Sequence, residues 1–206
     1  MLDKNGFDSW ADSYNSTVKK SDEEGTYPFA GYNEVIFDIY KIITLKNKAS
    51  ILDIGFGTGN LTRKLYEDGY EIFGQDFSEE MINIAKEKMP KAQLYQGDFT
   101  NGLVEELRAR SYDFIIGTYS FHHLENNLKI NFIKGLLPLL NEGGKIIIGD
   151  VIFKNQLDFE KCKDQAGKYW DEDEIYIIVD EFKTVFPNLV FKKKSFCSGL
   201  IVLEKN

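Results

Sequence analysis

The sequence predicts one α/β domain: a mostly parallel sheet with helices on both faces, closed by an antiparallel strand pair. Three observations carry that expectation. Ile51, Leu52 and Ile54 form a short apolar run, typical of a strand buried on both faces, and it leads into Gly55, Gly57, Gly59 and a helical stretch Leu61–Tyr66. Short apolar strands then alternate with helix-length segments as far as Val151. Finally, Leu189–Phe196 and Leu200–Leu203 read as two strands around Cys197-Ser198-Gly199.

Bulk properties narrow the function. A chain of 206 residues reads as a single domain with room for a sizeable core. The net charge of -8 argues against a polymer nucleic-acid substrate, which usually meets a basic face. Cys162 and Cys197 lack metal-type spacing and read as free thiols of a reducing cytoplasm. Met1–Tyr14 is mixed polar and aromatic rather than signal-like, and no apolar run approaches the roughly 20 residues that span a bilayer. A soluble, cytoplasmic protein is expected; its oligomeric state is not legible.

Residues 1–49 read as a helical segment that closes over the core at 50–206. Phe7, Trp10, Ala11, Tyr14 and Val18 fall on one helical face. Tyr27, Phe29 and Tyr32 sit in a loop, and Glu34–Leu45 is helical again through Val35, Ile36, Ile39, Ile42 and Ile43. These aromatics either pack on the core or form a lid. Glycines at Gly55, Gly57 and Gly59 let the backbone turn sharply and pass close to a ligand, since no Cβ intervenes. Tyr70–Gln75 is an alternating second strand ending at Asp76, placed on the solvent side of the strand end. Asp76 would accept from both hydroxyls of a ribose or cap the following helix, although Ser78 can serve as that cap. Glu79–Lys88 is a helix, and Ala92–Gln96 a third strand before Gly97-Asp98-Phe99. Asp98 is either a ligand-binding corner or a plain turn residue.

Asp-Ile-Gly-Phe-Gly-Thr-Gly, Asp53 to Gly59, resembles motif I of the class I S-adenosylmethionine (SAM) methyltransferases. A dinucleotide site would want G-x-G-x-x-G, whereas the third glycine here comes one residue early. Trp10 and Tyr14 resemble the W-x-x-x-Y-D opening of many small-molecule members, with Asn15 where aspartate is common. The resemblance covers nearly the whole chain and is closest, through Tyr119–Leu124 and Gly143–Phe153, to small bacterial SAM-dependent methyltransferases. It implies a Rossmann-like sheet and gives the residues roles. Asp53, Gly55, Gly57 and Gly59 hold the methionine part, Asp76 the ribose, and Phe77 the adenine face. Asp98 accepts from the adenine amino group, and Phe99 donates its backbone N–H. Thr118 and Tyr119 lie where ligands meet an open sheet, Tyr119 and Tyr14 offering rings to the sulfonium. S-adenosylhomocysteine (SAH) would be the product.

The fourth strand, Phe114–Ile116, leads to Gly117-Thr118-Tyr119-Ser120-Phe121-His122-His123. No proline occurs there, so the N/D-P-P-Y/F loop of amino-methylating DNA enzymes is missing. Leu128–Leu140 reads as a helix ended by Asn141-Glu142-Gly143-Gly144, Lys145–Val151 as a fifth strand, and Asn155–Tyr169 and Asp171–Phe186 as helices. No Asp-Asp-Asn constellation is evident, so no metal is expected. His122 and His123 are the chain's two histidines. Either could take a proton from an acceptor. In a strand-like stretch they face opposite ways, so one at most should line the pocket, His122 being preferred. The expected activity is methyl transfer from SAM to a small molecule. A SAM- or nucleotide-binding sensor is the alternative, with an NAD-dependent oxidoreductase disfavoured by the glycine spacing.

Overall fold

The computed structural model describes residues 18–205. Residues 18–24 are helical, and a loop leads to α1 (Tyr32–Thr44). Then come β1 (Ser50–Ile54), α2 (Asn60–Glu67), β2 (Glu71–Asp76), α3 (Glu79–Lys88), β3 (Gln93–Gln96), α4 (Glu105–Arg108) and β4 (Tyr112–Thr118). The second half holds α5 (Asn126–Leu136), β5 (Leu140–Phe153), α6 (Gln156–Ala166), β6 (Ile177–Ile178), α7 (Val179–Val185), β7 (Val190–Lys193) and β8 (Ser198–Glu204). The sheet order is β3-β2-β1-β4-β5-β8-β7, with β6 paired to the end of β5. All pairs are parallel except β5–β8 and β7–β8. The chain therefore reverses direction across the sheet between β1 and β4, where open α/β sheets hold ligands at the carboxyl strand ends.

Strand alternation builds two cores. Ile51 and Ile72 face α1, α2 and α3 through Val35, Ile39, Ile43, Leu65 and Ala85. Leu52, Ile54 and Phe73 face the other way, toward Leu107, Ile133, Leu136, Val179 and Phe182 of α4, α5 and α7. α3 shows why such segments are helical: Ser78 Oγ accepts from Met81 N–H at 3.2 Å, with Glu79 and Glu80 in the first turn and Lys86 and Lys88 in the last.

The structure departs from expectation in four places. Val35, Ile39 and Ile43 of α1 are fully buried on β5 and β8. Residues 33–44 are thus a core layer, and a lid could involve only Tyr32 and what precedes it. Asn141–Gly144 does not end a helix but lies inside β5, where the register with β4 jumps from Tyr112↔Leu140 to Phe114↔Lys145. Gly143 takes a left-handed φ of 70° there. Asp171–Phe186 is not one helix: 171–176 is irregular, and Ile177 and Ile178 join Ile152 and Phe153 in the sheet. Burying those two isoleucines against β5 outweighs the helical spacing of a short acidic segment. The closing strand β8 also starts earlier than expected, at Ser198. Among the described residues, no helix is long and apolar enough to cross a membrane.

Candidate active site

A cavity of about 340 Å3 opens over the carboxyl ends of β1, β2 and β4, within the roughly 300–1,000 Å3 range of small-molecule sites. Its floor is the glycine turn. Gly55, Gly57 and Gly59 all adopt left-handed φ, at 69°, 55° and 76°. At Gly55 a Cβ would also stand 2.6 Å from Ser120 Cβ, so this position tolerates no side chain. Asp76 locks the turn: its Oδ2 accepts from Gly57 N–H at 2.8 Å and its Oδ1 from Ser78 N–H at 2.9 Å. Asp76 is buried rather than on the solvent side, because holding two backbone donors draws the carboxylate inward. Ser78 caps α3 by itself, so Asp76 is not that cap.

Gly55, Gly57, Asp76, Phe77, Phe99, Thr118 and Tyr119 line the cavity, as do both histidines. Gly59 lies behind, as the left-handed N-cap of α2. The exposed Asp98 is not part of the wall. Its oxygens accept from Thr100 N–H at 2.8 Å and Asn101 Nδ2 at 3.2 Å, capping the short turn that carries Phe99. Tyr14 lies outside the described residues. Asp53 is enclosed beneath the turn, where Thr62 Oγ1 donates to its Oδ2 and Oδ1 has no partner among the described residues. Burial, with a smaller push from Asp76, raises its pKa to about 7, against the pull of the Thr62 hydrogen bond.

Tyr119 closes the middle of the cavity. It takes a left-handed φ of 51°, an uncommon conformation for a residue with a Cβ, and its ring meets Phe29 at 5.2 Å and Tyr32 at 5.0 Å. These two N-terminal aromatics therefore do face the cavity. At the far end, the two histidines lie on a 3-10 turn, Phe121–His123, rather than a strand-like stretch. Their rings come within 4.1 Å of each other, and both line the wall, contrary to the expectation that only one would.

The sequence reading missed His122's partners. Asp150, near the end of β5, places Oδ1 2.7 Å from His122 Nδ1 while its Oδ2 accepts from the Phe121 and His122 amides. Burial alone would push the His122 pKa down. Asp150, by charge and hydrogen bond, and then Glu174 outweigh it and leave the imidazole above its ordinary value, while Asp150 is held below its own. Neighbouring His123 is pushed down to about 3, chiefly by burial and then by His122. Glu174 Oε1 stands 3.5 Å from His122 Nε2. Its segment is fastened to the histidine turn: Ile175 N–H donates to His122 O at 2.9 Å, and the buried Lys129 ammonium donates to Ile175 O at 2.6 Å and also to Leu124 O. His122, His123 and Glu174 offer donor atoms all within 4.8 Å of one another. One signal for Asp150 was available: an aspartate inside Ile-Ile-Ile-Gly-Asp-Val-Ile-Phe must be buried and so must find a partner. Nothing local pointed to Glu174 or Lys129.

Comparison with known proteins agrees with this arrangement. A methyltransferase-domain family matches residues 51–144. An uncharacterized methyltransferase of Alkaliphilus oremlandii is 33% identical over 180 residues, covering 87% of this chain and 80% of the relative. The chain belongs to the methyltransferase family of that relative. An uncharacterized methyltransferase of Bacillus mycoides is 39% identical over 161 residues, 78% of this methyltransferase and 72% of that one. Among solved structures, the magnesium protoporphyrin IX methyltransferase of Synechocystis with bound SAH shares the fold, with a TM-score of 0.70 at 16% identity, covering 99% of this chain and 100% of that one. The plantazolicin methyltransferase BpumL, in complex with a desmethyl plantazolicin analogue and SAH, has a TM-score of 0.62 at 20% identity over 97% and 96%. The Rossmann-like sheet read from the sequence is thus the fold of this methyltransferase.

Proposed function

We propose that this methyltransferase moves the methyl group of SAM to a small-molecule acceptor held beside His122. The observation that carries the reading is the turn Gly55–Gly59 tied by Asp76 to the carboxyl end of β2, opening into one cavity with the His122–Asp150 pair. SAM supplies an activated methyl on a positively charged sulfur, so the protein's task is mainly alignment. The unpartnered Asp53 Oδ1 is an acceptor that a ligand's ammonium would satisfy, and the Gly55 backbone leaves room for close approach. Asp76 takes the ribose hydroxyls. Phe77 and Phe99 face the base, and Asp98 holds the turn that carries Phe99. Thr118 and Tyr119, with Phe29 and Tyr32, enclose the reacting region, where aromatic faces suit positive charge.

His122 is the base. Asp150 fixes its Nδ1 as the protonated nitrogen and leaves Nε2 facing the cavity. His123 shapes the same wall. A small acceptor is favoured by the cavity's size and by the fold relatives whose names specify a porphyrin and plantazolicin. Calorimetric titration with SAM and SAH tests the proposal, with binding in the micromolar range expected. Absence of binding at millimolar ligand would overturn it.

A further inference from the structure

Given methyl transfer at this site, the hydrogen-bond pattern at the far end of the cavity names the class of acceptor. We infer that the acceptor is an amine, bound as an ammonium between His122 Nε2 and Glu174 Oε1. Above the raised pKa of His122 the imidazole is neutral; Asp150 then takes its Nδ1 hydrogen, and Nε2 presents a lone pair. Glu174 Oε1 stands 3.5 Å from that lone pair. Its other oxygen is already satisfied by Tyr176 O–H at 2.6 Å, and Tyr176 O is in turn hydrogen-bonded to Tyr27 O–H. Two acceptors thus face each other across the cavity wall and need hydrogens between them.

The classes of acceptor differ in how many hydrogens they bring. A carboxylate or phosphate brings only more acceptors. A hydroxyl or thiol brings one hydrogen and satisfies one partner. A primary ammonium brings three and bridges both. Charge points the same way. Asp171 and Glu174 line this end, and no lysine or arginine is among the described residues that line the cavity. Among the described residues, the cation beside the histidine turn, Lys129, is turned away onto the Leu124 and Ile175 carbonyls. In the reaction the ammonium gives one proton to His122 Nε2. The freed lone pair forms the N–C bond as the S–C bond of SAM breaks. The products are a methylated ammonium, neutral SAH and one proton, which His122 releases to solvent.

Glu174 is then the specificity residue, and binding can be read without knowing the natural acceptor. The probes are benzylamine, benzyl alcohol and benzoate, titrated into SAH-loaded full-length protein at one ionic strength and one pH above the raised pKa of His122. Benzylamine should bind at least tenfold tighter than benzoate, with benzyl alcohol between. Glu174→Gln should weaken benzylamine roughly ten- to hundredfold, the worth of a hydrogen bond to a charged group, and leave SAH binding intact as proof of folding. Glu172→Gln, an exposed position of the same segment, makes the same change in net charge and should preserve the preference. Equal binding of the three probes, tighter binding of benzoate, or an equal effect of both variants would overturn the inference. Failure of SAH itself to bind would instead overturn the methyl-transfer reading beneath it.

Discussion

Asp76→Asn separates cofactor binding from architecture. Alanine would be too blunt: it strips acceptors from the Gly57 and Ser78 amides, and orphaned buried donors cost about 1–3 kcal/mol each. The total approaches the about 5–15 kcal/mol that holds a whole domain together. Asparagine keeps one acceptor oxygen and removes the charge. Its structural cost is then about 1–3 kcal/mol, a fall in Tm of about 2–12 °C for a chain of this size. If Asp76 holds the ribose, the lost charge-assisted bonds remove a further about 1.5–3 kcal/mol from SAH binding, roughly ten- to hundredfold in Kd. Calorimetry well below the variant's Tm reads the second number, and a thermal melt of the same sample reads the first. An SAH analogue lacking both ribose hydroxyls completes the cycle, since it has nothing for Asp76 to hold. Wild type and variant should bind that analogue within about twofold of each other, a difference under 1 kcal/mol. If the analogue is weakened as much as SAH, the loss comes from a displaced glycine turn, and the ribose role is refuted.

Four further outcomes are expected. His122→Gln should cut turnover with any accepted amine by about 10²–10⁴-fold and leave SAH affinity unchanged. Because the groups facing His122 (Asp150, Glu174, Lys129 and His123) leave its pKa raised, the wild-type rate should climb as pH rises above about 6.5, and the variant should lose that limb. A flat wild-type profile between pH 5.5 and 8 would retire the base. Asp53 has a folded pKa of about 7 against 3.8 unfolded, so the native state keeps a proton the unfolded state has lost. Stability of the ligand-free protein should therefore fall as pH rises from 4 to 7 by a contribution on the order of 3–4 kcal/mol. Asp53→Asn should remove that slope in urea titrations, and an unchanged slope would show Asp53 is ionised throughout. Metal analysis of purified protein should find substoichiometric metal despite the His122-His123-Glu174 cluster, and a stoichiometric ion would displace His122 as base. Removal of residues 1–17 should leave a cooperatively folding domain with weaker SAM binding, since Tyr14 goes with them; unchanged binding would exclude Tyr14 from the site.

The glycine-turn end of the cavity was legible because its determinants are local. Alternating glycines report a backbone that must turn left-handed at Gly55, Gly57 and Gly59 whatever surrounds it. An acid at the end of an apolar run, as at Asp76, marks a strand end within a few residues of chain. The period-2 and period-3.6 patterns fixed the layers in the same way. They failed at Asp171–Phe186, where a short acidic segment fits a helix in isolation and only pairing with Ile152 and Phe153 makes Ile177 and Ile178 a strand. The histidine end of the cavity was decided by tertiary structure. His122 meets Asp150 because β4 and β5 pair side by side up to Thr118↔Gly149, and it meets Glu174 because Lys129 and Ile175 fasten a distant loop to the histidine turn. A sequence states which groups can donate or accept, but two acceptors come to face each other at 3.5 Å only when separate strands and loops are packed together.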